Sequence, residues 1–84
     1  MRSCYITFRS VTVAQWGEQT FRSGGIYCSL QRTPRWMEER GCGYCLRLRE
    51  RDCREAVMML RQNQVPFRKI YLLSDGGSWE EVVL

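Results

Sequence analysis

Eighty-four residues, 44% hydrophobic and 26% charged, suffice for one domain with a small core and do not have the composition of a disordered chain. No apolar run approaches the roughly 20 residues that cross a bilayer, which excludes a helical membrane span. All 13 Lys and Arg lie before residue 74 against six acids, whereas the stretch from Ser74 carries Asp75, Glu80 and Glu81 and no cation; such a basic body points to anionic partners without identifying one.

Histidine is absent, which removes Cys–His pairs, Ser–His–Asp triads and histidine zinc sites together. Cysteine occurs five times, an odd number for a disulfide framework. The opening Met1-Arg2-Ser3-Cys4-Tyr5-Ile6-Thr7-Phe8-Arg9 has no long apolar region or small-residue cleavage site. The expectation is a cytoplasmic chain with reduced thiols.

In chain order, Cys4 to Phe8 alternates and is rich in β-formers, so it reads as a first strand. Ser10 suits an N-cap for a helix from Val11 to Ser23, with Val13, Ala14, Gly17 and Phe21 inward. Gly24-Gly25 ends it, and Ile26 to Leu30 reads as a second strand. Residues 31–41 form a polar loop punctuated by Pro34 and Gly41. Tyr44 to Arg49 alternates, with Tyr44, Leu46 and Leu48 on one face and Cys45, Arg47 and Arg49 on the other. Asp52 can cap a second helix in which Cys53, Ala56, Val57 and Leu60 follow helical spacing. Val65-Pro66 stops that helix, and Phe67 to Leu73 reads as a fourth strand. Gly76-Gly77 then sets off Trp79 to Leu84 as a docked extension or a loose peptide.

The order β-α-β-β-α-β predicts an α+β fold, a ferredoxin-like sandwich with a four-stranded antiparallel sheet and both helices on one face. Residues 1–73 make that domain and 74–84 an acidic tail. In the usual spatial order, 4-1-3-2, strand three begins where strand one ends and helix one starts. Cys42 then stands beside the amide end of helix one, near Ser10. A thiol reacts as thiolate, and helix N-termini and cations favour that anion over a free pKa of about 8.5. Arg9, Arg35 and Arg40 are the cations in reach, and Gly41 and Gly43 let the backbone approach closely. The plain alternative is that Cys42 is a small residue in a glycine-flanked turn.

The pattern Tyr5-Ile6-x-Phe8-x-Ser10, Ala14 and Glu18 on the first helix, Gly25-Ile26, Pro34-Arg35, Cys42-Gly43, Leu46/Leu48 and Ala56 resembles the Se/S carrier protein-like family of small bacterial domains. The resemblance covers roughly residues 4–73. It implies sulfur or selenium handling, with Cys42 as carrier of a persulfide or selenopersulfide, received from a cysteine desulfurase or another sulfur- or selenium-handling protein. Arg35 would steer the anion, Ser10 and the first helix turn would stabilise it, and Cys45 would resolve the adduct if the turn allows. Members often have serines before the cysteine, where this chain has Glu39-Arg40-Gly41.

Other readings stay open. Cys42-Gly43-Tyr44-Cys45 is a C-x-x-C, although Leu46-Arg47-Leu48-Arg49 after it alternates as a strand rather than opening a helix. A zinc site would need Cys4, Cys28 or Cys53, which read as small core residues. The sheet face away from the helices would carry Tyr5, Thr7, Arg9, Tyr27, Cys45, Arg47, Arg49, Lys69 and Tyr71. That face would suit a non-catalytic interaction module for protein, a second subunit or single-stranded nucleic acid. Trp79 and Val82–Leu84 would equally cover it. The paired acids Glu38-Glu39 and Glu80-Glu81 have no partner base, phosphate-binding glycine loop or metal spacing, so no conventional active site, cofactor or metal is expected.

Overall fold

The computed structural model describes residues 2–37 and 43–84. Its elements are β1 (Ser3–Phe8), α1 (Val11–Ser23), β2 (Ser29–Arg32), a 3-10 turn (Arg35–Met37), β3 (Tyr44–Arg49), a second 3-10 turn (Glu50–Asp52), α2 (Cys53–Gln62), β4 (Ile70–Leu73) and β5 (Trp79–Val82). The strands form one antiparallel sheet in the order β2-β3-β1-β4-β5. The fold is α+β, with two helices and five strands.

The fifth strand corrects the expected four-stranded sheet. Gly77 takes φ +91 in a turn where the Ser74 amide donates to the Ser78 carbonyl at 2.8 Å. This turn folds Trp79 back opposite Leu73, and Val82 reaches Ile70. The Gly-Gly pair is therefore a hairpin turn, and the tail is part of the sheet. Charge assists the docking: Arg2 Nη1 lies 2.8 Å from Glu80 and Lys69 Nζ 3.8 Å from Glu81.

Strand β2 begins three residues later than Ile26. The reason is the end of α1, where Gly25 adopts φ +81, its amide donates to Arg22, and the Ile26 amide donates to the Phe21 carbonyl at 2.9 Å. This is a Schellman ending, whose hydrophobic partners here are Ile26 and Phe21, both buried. Ile26 thus closes a helix rather than opening a strand. Strand β4 starts at Ile70 instead of Phe67. Just before it, the Thr7 hydroxyl accepts the Lys69 amide at 3.0 Å in place of a backbone carbonyl. Asp52 makes no side-chain cap; Glu50–Asp52 runs as a 3-10 turn into α2, and Asp52 sits 3.8 Å from Arg49 instead.

Both helices pack on one face. Ala14 and Phe21 of α1 and Cys53, Ala56, Val57 and Leu60 of α2 close over Cys4, Ile6, Phe8, Leu46, Leu48, Ile70 and Leu72. Each large apolar side chain buried here contributes about 1.5–3 kcal/mol. The opposite face has a smaller cluster of Tyr5, Met37, Cys45 and Tyr71, with Leu73 against it. Among the described residues no helix is long and apolar enough to cross a membrane.

Candidate functional site

Ser10 ends the extended run of β1 at φ −145, ψ 163 and caps α1. Its Oγ accepts the Val13 amide at 3.3 Å, and its carbonyl accepts Ala14 at 3.0 Å. The Val11 and Thr12 amides have no carbonyl one turn back, so this helix end favours an anion. Tyr44 pairs with Phe8, which puts the start of β3 at the same end of the sheet. Gly43, the residue before β3, accepts the Thr33 amide at 3.0 Å. A Cβ at Gly43 would stand 3.2 Å from Thr33 Oγ1 and 3.6 Å from the Phe8 carbonyl oxygen. Glycine is needed there for close approach, not for an unusual backbone angle.

Thr33 is a polar group that nothing in the sequence marks as a site residue. It is 8% exposed, and its hydroxyl has no hydrogen-bond partner among the described residues. Burying a hydroxyl without a partner is costly, so such a group marks a strained or functional position. In the chain it is only a polar residue that precedes a proline, Pro34, at the end of a strand.

Arg9 follows β1, Arg32 ends β2 opposite Tyr44, Arg35 opens the 3-10 turn and Arg68 hydrogen-bonds through its amide to Thr7. All four are exposed around this end of the sheet. Among the described residues none of the four has a carboxylate at ion-pair distance. Arg32 lies instead over the Tyr44 ring, 5.9 Å from its centroid. A cavity of about 300 Å³ adjoins the amide end of α1, lined by Arg9, Val13, Pro66, Phe67 and Arg68.

Cys42 and Gly41 lie outside the described residues, as do Glu38, Glu39 and Arg40. Ser10 and Gly43 come together at one end of the sheet, and Arg35 stands on the exposed turn of the segment that leads from β2 toward β3. Cys45 has a different setting. It is fully buried on the face away from the helices, in the cluster with Tyr5, Met37 and Tyr71. Burial pushes its thiol up to about 11, against a weaker lowering by the Thr33 hydroxyl, which stands near the thiol without meeting the geometry of a hydrogen bond to it. The Cys45 thiol also makes a long contact of 3.9 Å to the Arg32 carbonyl. A thiol so placed is a poor attacking group at neutral pH.

The sheet face expected to be open is half closed. Tyr5, Thr7, Cys45 and Tyr71 are buried there. Trp36 covers Tyr5 and Tyr71, with centroids 6.4 and 5.6 Å away, and Trp79 covers Tyr71 from β5 at 5.7 Å. What stays accessible is a shallow groove of about 560 Å³ lined by Ser3, Tyr27, Ser29, Gln31, Arg47 and Arg49. Arg47 is held in it by Ser3 Oγ at 3.3 and 3.2 Å. Among the described residues no three His, Cys, Asp or Glu side chains gather as a metal site.

The model of one protein family, described as putative Se/S carrier protein-like, matches residues 3–72. The match runs from the start of β1 into β4 and stops short of β5. No curated protein and no solved structure matches the chain.

Proposed function

This chain belongs to the Se/S carrier protein-like family, and on that premise we propose that it carries a sulfane sulfur or selenium atom on Cys42 and passes it between partner proteins. The observation that carries the reading is the setting of Gly43, one peptide unit from Cys42. Gly43 lies against the Phe8 carbonyl at the amide end of α1, beside the unpartnered hydroxyl of Thr33. Helix amides and four exposed arginines favour a thiolate, and then the persulfide anion, at this end of the fold. In loading, the Cys42 thiolate attacks the terminal sulfur of a donor persulfide. A new S–S bond forms, the donor's S–S bond breaks, and the donor cysteine leaves as thiolate. Release to an acceptor thiolate is the same exchange in reverse. Thr33 is a donor that a carried sulfur at the neighbouring residue would use. Cys45, buried and with its thiol pushed up, serves as packing and not as the resolving thiol.

The test is loading by a cysteine desulfurase with cysteine, followed by intact mass under non-reducing conditions. One added sulfur atom on the wild type and none on Cys42→Ser is expected. Equal loading of both, or of neither, removes the carrier reading. Thr33→Val separates function from folding. Loss of an unpaired hydroxyl should leave stability unchanged or slightly raised, while the adduct decays faster.

A second reading rests on the groove of Tyr27, Arg47 and Arg49, whose exposed ring and cations suit single-stranded nucleic acid. Binding of an oligonucleotide should weaken steeply with salt and vanish on charge reversal at Arg47 and Arg49. Binding that ignores both would count against it.

A further inference from the structure

Charge in this fold is sorted along the strands. Ser3 pairs with Arg49 at one end of the sheet, and β3 leads from there into Glu50, Asp52 and Glu55. Asp75 turns at that same end, because Leu73 also pairs with Ser3. Glu80 and Glu81 are taken up by Arg2 and Lys69. At the other end, where Phe8 pairs with Tyr44, stand Arg9, Arg32, Arg35 and Arg68, all exposed.

Between two of these arginines the surface is apolar. The cavity of about 300 Å³ at this end is lined by Val13, Pro66 and Phe67 together with Arg9 and Arg68. Phe67 is only partly buried against the core, and Arg61 from α2 lies over its ring, 5.7 Å from the centroid. An apolar depression rimmed by guanidinium groups has a defined complement. That complement is an acidic segment that seats one apolar side chain and sets its carboxylates against the arginines. A small anion suits the place less well, since the arginines are exposed, come from separate segments, and only two of them line the cavity. A nucleic-acid base finds no free ring to stack on, because that of Phe67 packs on the core and carries Arg61 over it.

We infer that this pocket is the docking surface for the sulfur-donating enzyme, taking an acidic segment of that enzyme with an aliphatic or aromatic anchor residue. The inference rests on the carrier reading. Gly43, one peptide unit from Cys42, stands against the Phe8 carbonyl at this same end, so a donor seated here brings its persulfide to the carrier's end of the sheet. Rim charges act mainly on the rate of association, so docking shows in how fast the chain is loaded and weakens with salt.

The test compares two donors on the whole chain: a cysteine desulfurase with cysteine, and free cysteine persulfide, which is too small to dock. Intact mass gives the initial rate of adduct formation with each. Charge reversal changes the thiolate fraction for both donors alike, so the ratio of the two rates isolates docking. Arg9→Glu/Arg68→Glu should lower that ratio by about ten-fold, and added salt should lower it for the wild type. Pro66→Glu, at an exposed position, should lower it likewise. Arg51→Glu/Arg54→Glu, the same change of charge at the opposite end, should leave it unaltered, with the fold of every chain checked by circular dichroism. An unchanged ratio in Arg9→Glu/Arg68→Glu overturns docking here while the carrier reading stands; loss of single-stranded oligonucleotide binding in that variant would then assign the pocket to nucleic acid. An equal fall in both charge-reversed pairs reduces the effect to net charge and overturns it too, as does wild-type loading by the free persulfide alone. A wild type that neither donor loads removes the carrier reading, and this inference with it.

Discussion

Trp36 and Trp79 meet with their ring centroids 4.9 Å apart and their planes inclined by 33°. One comes from the 3-10 turn before β3 and the other from β5, beyond the family match. Both also stand edge-on to Tyr71. The fifth strand is therefore fastened to the segment that runs toward Cys42, as well as to β4.

This contact predicts the result of Trp79→Ala. Truncation removes an exposed aromatic together with its ring contacts to Trp36 and Tyr71, so the fold should lose about 1 kcal/mol. In a W16F background Trp36 is then the one remaining tryptophan, since the chain has three. Its emission should shift to the red as the ring loses its cover. Unchanged emission and unchanged stability would mean that the rings touch without fastening anything.

Gly43 gives a second prediction through its closeness to Thr33. An alanine methyl would sit 3.2 Å from Thr33 Oγ1, tighter than ordinary contact. Gly43→Ala should cost about 1 kcal/mol, an overpacking effect at the low end of its range. Thr33→Ala removes the opposing atom, so the double variant should recover at least about 0.5 kcal/mol of that loss. Chemical denaturation of the four chains measures the coupling, and strict additivity would show that the two positions do not press on each other.

Much of this was legible because hydrophobic period is a local signal. Residues Val11–Ser23 and Tyr44–Arg49 follow from spacing, as does the existence of α2, which ends at Gln62 rather than running up to Val65-Pro66, and Ser10 follows from its place before the first helix. The second strand was misread because Ile26 is apolar for a reason that alternation does not report: it closes a helix end on Phe21. The fifth strand was missed for a related reason, since Gly76-Gly77 signals a break equally well for a hairpin and for a linker. The nearness of Ser10 and Gly43 at one end of the sheet was legible, because an antiparallel β3 beside β1 starts where β1 ends. The fate of Cys45 was not, because its cover comes from Met37 and from neighbours on β1 and β4 that are distant in sequence. Thr33 was invisible as a site residue because an unsatisfied hydroxyl is a property of the packed state.

Arg2 supplies an acid-stability prediction. It bridges Glu50 beside α2 and Glu80 on β5. The hydrogen bond from Arg2 holds the Glu50 carboxyl below its ordinary range, against partial desolvation. A depressed carboxylate contributes stability that is fully present above its unfolded pKa of about 4.3 and is lost as pH falls through the folded value. The melting temperature should therefore fall between about pH 5 and pH 3, and Glu50→Gln should flatten part of that fall. The effect should shrink in high salt because the groups are accessible to solvent. A slope unchanged by Glu50→Gln would assign acid sensitivity to other carboxylates.

The two helices end in the same way, with one difference that can be measured. At the end of α1 the left-handed position is Gly25, φ +81; at the end of α2 it is Gln64, φ 57. There the Gln64 amide donates to Arg61 at 3.1 Å and the Val65 amide to Leu60 at 2.9 Å, with Val65 buried as Ile26 is. A side chain in this conformation is crowded against its own backbone at a cost of roughly 1–2 kcal/mol, which glycine avoids. Glycine also gains freedom in the unfolded chain, which takes back part of that difference. Gln64→Gly should therefore stabilise the protein by a net of about 0.5–1 kcal/mol, read as a higher denaturation midpoint at unchanged slope. Gly25→Ala should do the opposite by a similar amount, because no atom crowds its Cβ and only the backbone angle opposes it. A Gln64→Gly chain no more stable than the parent would mean that the side chain of Gln64 contributes as much as its backbone strain costs.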